Sequence, residues 1–164
     1  MIIPDVNLLL YATIDGFPQH EAARAWWESA LNGQESVGLT GPAVFGFLRV
    51  ATNPRVLELP MAISDATGHV RRWLTCVPVE FVGPGDRHLD LAFAMLEEIG
   101  TAGNLTTDVQ LAAYAMERKA VVHSNDSDFG RFPNLSWVNP LSTDRIAAPN
   151  ADTEGDAPAK PASE

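Results

Sequence analysis

The sequence predicts an α/β domain of three layers, a small parallel β-sheet flanked by α-helices, and three observations predict it. Short apolar stretches of β type, at 1–3, 36–40, 77–82, 121–124 and 135–141, alternate with longer segments of helical periodicity. None of the β stretches is joined to the next by a tight hairpin turn, so the strands need crossovers, which helices supply. The chain has 164 residues, 46% of them hydrophobic, enough for one domain with its own core.

Residues 1–3 begin the first buried strand, and Asp5 follows it. In "HEAARAWWESALN" the residues Ala22, Ala25, Trp26 and Ala30 recur at three- and four-residue steps, which predicts an amphipathic helix closed by Asn32-Gly33. On this spacing Trp26 joins the core, and Trp27 faces outward as a subunit or partner contact. "SVGLT" reads as a strand. "PAVFGFLRVAT" reads as a helix with Pro42 at its first position, Thr40 as its cap and a stripe of Val44, Phe47, Leu48 and Ala51. Asn53-Pro54 ends it. A helix started by Ser64 follows, then the strand "VPVEFV" and a helix closed by Gly100. "DVQLAAYAMERKA" is a helix capped by Thr106 or Thr107; it feeds the strand "VVHS", and "LSWVNPL" is a last short strand.

Composition narrows the chemistry. The net charge is −10, the wrong sign for holding nucleic acid by broad counterion release and the right sign for a carboxylate-lined cation site or a basic partner. The single cysteine, Cys76, lies in an apolar stretch and is expected to be buried, which excludes disulfides and cysteine-based zinc sites. The chain starts directly on an apolar strand with no basic leader, and no apolar run reaches the roughly 18 residues of a membrane span, so a cytoplasmic protein with no membrane partner is expected. Residues 142–164 are rich in Ala, Pro, Asp and Glu with Ile146 as the one large apolar residue, which predicts a disordered acidic tail after a domain spanning 1–141.

Acids stand where such a sheet binds ligands, beyond the carboxyl ends of its strands. Asp5 follows the first strand; Asp126 and Asp128, two apart, follow the strand at 121–124; Asp108 opens the helix that feeds that strand. Each has an ordinary reading. Asp5 serves as a helix cap, Asp108 complements a helix dipole, and Asp126 and Asp128 make a polar turn. Together they describe an oxygen-rich site for Mg2+ or Mn2+, suited to attack of water on a phosphodiester. Asn7 is placed to orient a bound water or to cap a helix, and Arg49 and Arg55 to meet a nucleic-acid backbone or simply the solvent.

"DVNLLLYA", "LTTDVQLAAYA" and "SNDSDFGRFPNLSWVNPL", in this order, resemble the PIN-domain ribonucleases, specifically the VapC toxins of bacterial toxin–antitoxin pairs. The likeness covers roughly 1–141, with "HEAARAWWESAL" and "FLRVATNPRV" matching connecting segments of one branch. It implies a PIN-like fold and a metal-dependent ribonuclease. The implied metal-binding and catalytic acids are Asp5, Asp108 and Asp126, with Asp128 accessory, and the implied partners are RNA, an antitoxin and a second copy of the chain. One position departs. The family usually places a glutamate ahead of its Leu-x-Arg stretch, and here Gly46 stands there. Two explanations follow for the glycine, close packing of a neighbouring element or a lost ligand; the resemblance favours the second, so Gly46→Glu is expected to tighten metal binding. The departure also opens a second functional reading, a PIN-like module that binds RNA or an antitoxin and cleaves weakly or not at all.

Overall fold

The structure is a computed structural model and describes residues 1–142, so the tail expected at 142–164 lies, apart from Ser142, outside the described residues. Five parallel strands form one sheet: β1 (Ile2–Pro4), β2 (Val37–Thr40), β3 (Val79–Val82), β4 (Val121–His123) and β5 (Trp137–Val138), in the order β3-β2-β1-β4-β5. Six helices flank it: α1 (Val6–Thr13), α2 (His20–Asn32), α3 (Gly41–Ala51), α4 (Ile63–Trp73), α5 (His88–Ile99) and α6 (Thr106–Arg118). Strands β1 and β2 are buried along their whole length, and Ile3, Leu39, Val122, Phe47 and Leu111 belong to one core cluster. Near-continuous apolar strands are what a parallel sheet covered on both faces requires.

Several elements depart from expectation. The helix α1 has no amphipathic stripe to announce it, because "LLLYA" is apolar all round and Leu8, Leu9 and Leu10 are all buried. In α2 the buried face is Ala23, Trp27 and Ala30, not Ala22, Ala25 and Trp26. The two stripes lie about 100° apart on the helix, one residue of rotation. Trp27 is therefore a core residue, edge-on to Trp73, and not an outward contact; Trp26 is half-buried against His123. Neither Thr106 nor Thr107 caps α6: a 3-10 turn (Gly103–Leu105) runs straight into it and both threonines lie in its first turn. Ser64 does not start α4, which begins at Ile63 after an extended Ala62. Cys76 is half-buried, its thiol directed at the Arg72 carbonyl.

Other signals read correctly. The Thr40 hydroxyl accepts the Ala43 N–H and caps α3; the helix starts at Gly41, so Pro42 stands at its second position and not its first. Gly33 closes α2, and Gly100 closes α5 at φ +78°, where a residue with a Cβ would be strained. At Gly46 the packing explanation holds. The glycine is buried, and a Cβ there would come within 2.5 Å of Val6 Cγ2, so α3 lies against the first turn of α1 with no room for a side chain. A glutamate at this position collides with Val6, which removes the ground for expecting it to restore a ligand.

Candidate active site

Sheet topology selects the place. From β1 the chain builds outward through β2 and β3, then crosses to the other side for β4 and β5. The strand order therefore reverses between β1 and β4, and the crevice outside their carboxyl ends is where such sheets bind ligands. Pro4 pairs with His123, so Asp5 and Ser124 emerge side by side, one residue beyond each strand.

Asp5 holds two roles at once. It caps α1, accepting the Val6 N–H at 2.6 Å on one oxygen, and its other oxygen accepts the Ser124 hydroxyl at 2.7 Å. Its side chain is thus aimed by both elements, and the residue is only 5% exposed. Ser124, fully buried, is the hub: its Oγ also accepts the Asp126 N–H at 2.9 Å and the Asn7 amide at 3.0 Å. Asn7 in turn accepts the Asn125 N–H at 3.3 Å. Asn7 does not cap a helix, since Asp5 caps α1 and Asn7 lies in its first turn; its side chain instead fixes the turn after β4. Asp126 caps the 3-10 turn Ser127–Arg131 by accepting the Asp128 N–H at 2.9 Å, the turn chemistry its spacing suggested. Asp128 sits 3.8 Å from Arg131 on the same turn.

Asp108 reaches this group from the first turn of α6, half-buried. Burial pushes its carboxyl up to about 6, and the charges of Asp5, Asp126 and Asp128 push the same way. Burial likewise lifts Asp5 to about 6 against the opposing Ser124 and Val6 hydrogen bonds, and Asp126 adds to the rise. Four acids from three segments therefore share one field.

The donor set decides what this field suits. It is all oxygen, it carries excess negative charge, and Asp5 and Asp108 are pushed toward protonation by burial and by the neighbouring acids, which is the condition a hard divalent cation relieves. Among the described residues no group of three or more His, Cys, Asp or Glu side chains is placed so that it could hold a metal ion as it stands. The residues nonetheless fit such an ion in kind: Asp5 is pre-aimed, and Asp126 and Asp128 lie on a short turn.

Arg49 is exposed in the last turn of α3, a helix that starts at the carboxyl edge and runs away from it; Arg55 lies exposed in the turn beyond. The structure joins neither to the carboxylates. Sequence reading missed Ser124. Its only signal was a small hydroxyl residue between an apolar strand and an acid.

The PIN domain family model matches residues 2–135. Ribonuclease VapC33 of Mycobacterium tuberculosis (strain ATCC 25618 / H37Rv) is 56% identical over 141 residues, covering 86% of this chain and 99% of that protein. Ribonuclease VapC37 of the same strain is 37% identical over 140 residues, covering 85% and 97%. Among solved structures, VapBC2 from Rickettsia felis bound to a DNA fragment from its promoter superposes with a TM-score of 0.62 at 19% identity, covering 85% of this chain and 98% of that one. Mycobacterium tuberculosis VapC20, a Sarcin-Ricin loop cleaving toxin, superposes at 0.56 with 17% identity, covering 79% and 93%. These two show the same fold. With the family match over most of the chain and the sequence identity to VapC33, this protein belongs to the PIN-domain family, in its VapC branch.

Proposed function

We propose that this protein is a metal-dependent ribonuclease, the toxin of a type II toxin–antitoxin pair. The place of Asp5 beside the β1/β4 switch point, in one electrostatic field with Asp108 and Asp126 and in a chain 56% identical to a named ribonuclease, supports the reading. Asp5, Asp108 and Asp126 would hold Mg2+ or Mn2+, with Asp128 at one remove. An ion bound there supplies positive charge against phosphate oxygens and makes water a better nucleophile near neutral pH. The chain's own residues do the rest. Ser124 and the Val6 N–H fix both oxygens of Asp5, so that carboxylate does not need to reorganise when it meets its ligand. Asn7 holds Asp126 in register by fixing the turn that carries it. Arg131, on the same turn and half-exposed, is the cation nearest Asp128 and is placed to meet a phosphate at the rim.

Solved neighbours include VapBC complexes from Rickettsia felis and from nontypeable Haemophilus influenzae, which supports a VapB-type antitoxin as partner. A homodimer and a cytoplasmic site of action belong to the same proposal. Among the described residues no helix is long and apolar enough to cross a membrane.

The test is incubation of the purified protein with total RNA and Mn2+, followed by sequencing of new ends. New ends that vanish in Asp5→Asn and Asp108→Asn, and in chelator, support the proposal. No cleavage together with intact RNA or antitoxin binding favours the second reading, a binding module whose Gly46 leaves it one carboxylate short.

A further inference from the structure

We propose that Asn139, outside the acidic group, is a positioning residue that locks the acid-bearing turn after β4 to the end of β5. The inference rests on the metal site of the preceding section. Asn139 follows β5 directly and is half-buried. Its amide nitrogen donates to the Asn125 side-chain oxygen at 3.0 Å, while its own oxygen accepts the Leu141 N–H at 3.0 Å. One side chain thus shapes its own turn with one end and grips the neighbouring strand's turn with the other.

What it grips matters. Asn125 lies between Ser124 and Asp126, and its backbone N–H donates to Asn7. Three asparagines from β1's, β4's and β5's carboxyl ends therefore form a ladder across the edge of the sheet: Asn139 to Asn125, Asn125 to Asn7, Asn7 to the Ser124 hydroxyl, which holds Asp5. A second bond runs parallel, from the Ser124 N–H to the Val138 carbonyl at 3.0 Å. The strand β5 is only two residues long, so its ladder alone gives the turn little support. A partner bonded directly to a ligand typically costs about 10- to 100-fold in metal affinity when lost; Asn139 acts through Asn125, so its loss is expected at the lower end of that range.

Calorimetric titration of Mn2+ tests this with a double-mutant cycle on the full chain, melting temperature in chelator being recorded for each variant. Asn125→Ala removes the grip and leaves the Asn139 turn intact; Asn139→Ala removes both. The expected result is Mn2+ affinity lowered about tenfold by either change, with the double variant no worse than the singles, because the Asn139–Asn125 bond is the one they share. Affinity unchanged in Asn125→Ala overturns the inference, whatever Asn139→Ala does to the melting temperature, since Asn139 then serves only its own turn. Additive losses overturn it too. A parent protein that binds no Mn2+ is a different result: it overturns the metal reading itself, and this inference with it.

Discussion

At the scale of the residue, the site opposes two kinds of titration. Asp5 and Asp108 are held near 6 in the fold against an ordinary value of 3.8, so between those values the folded chain keeps protons that the unfolded chain has released. Their contribution therefore falls as pH rises from about 4 to about 6 in metal-free buffer. Burial lowers His123 to about 4 from 6.5, and neutral His123 accepts the Trp26 indole N–H at 3.2 Å. That contribution has the opposite sign and is lost as pH falls through the same window. Asp108→Asn should remove one acid slope and leave the histidine's. Denaturation in chelator at pH 7 is then expected to show Asp108→Asn more stable than the parent by on the order of 1 kcal/mol, after discounting for solvent screening of a half-buried group. The gap should close by pH 4. RNA cleavage by the same variant should drop at least about 100-fold. A variant less stable than the parent at pH 7 would return Asp108 to the helix-dipole role. Asp5 was legible as a candidate because an acid directly after a strand is a position with chemistry attached, and Asp126 because it stands three residues beyond one. Ser124 was not, because its partner Asp5 lies 119 residues away and no local pattern encodes that bond.

At the scale of the element, rotation and contact decide what a pattern leaves open. In α2 both Trp26 and Trp27 are large and apolar, and either could have led the buried stripe. Only the packing of α2 against α1 and the edge-on Trp73 picks Trp27. Trp27→Ala should accordingly cost about 3–5 kcal/mol in urea denaturation, while Trp26→Phe, which keeps an aromatic ring and loses the bond to His123, should cost about 1. Equal losses would mean that the stripe is shared. Gly46 carries a second test. Helix propensity favours alanine over glycine by about 1 kcal/mol, yet a methyl at 46 meets Val6 Cγ2 at 2.5 Å. Overpacking of this kind costs about 1–3 kcal/mol, so Gly46→Ala should destabilise, and adding Val6→Ala should recover most of the loss. Stabilisation by Gly46→Ala alone would show that α1 and α3 are not in close contact there. A glycine in a helix announces that something is near; the sequence does not say that the neighbour is the residue after Asp5.

At the scale of the whole molecule, alternating β and helical segments foretold a parallel sheet, but strand order is a property of where crossovers land, which no local pattern carries. The reversal between β1 and β4 turns scattered acids into a group, and that step needed coordinates. With the group in place, the net charge of −10 acquires a direction. The charges of Asp5, Asp126 and Asp128 all act on Asp108, and on the proposed function these acids concentrate negative potential in the crevice beyond β1 and β4, with Arg131 beside Asp128. On the proposed function, an antitoxin inhibits by laying a basic segment into this crevice and setting an arginine or lysine among the carboxylates. Opposite fields accelerate encounter by about 10- to 1000-fold at low ionic strength, and salt screens that gain over about 10 Å at 0.1 M. Stopped-flow association with the antitoxin should therefore slow at least about tenfold between 20 mM and 500 mM salt. Net charge alone predicts the same trend, so Mn2+ supplies the discriminating arm. A cation bound by these acids cancels charge only in the crevice, and saturating Mn2+ at constant ionic strength should slow association further if that is where the basic segment docks. Association that slows with salt but ignores Mn2+ would place the antitoxin elsewhere on the acidic surface.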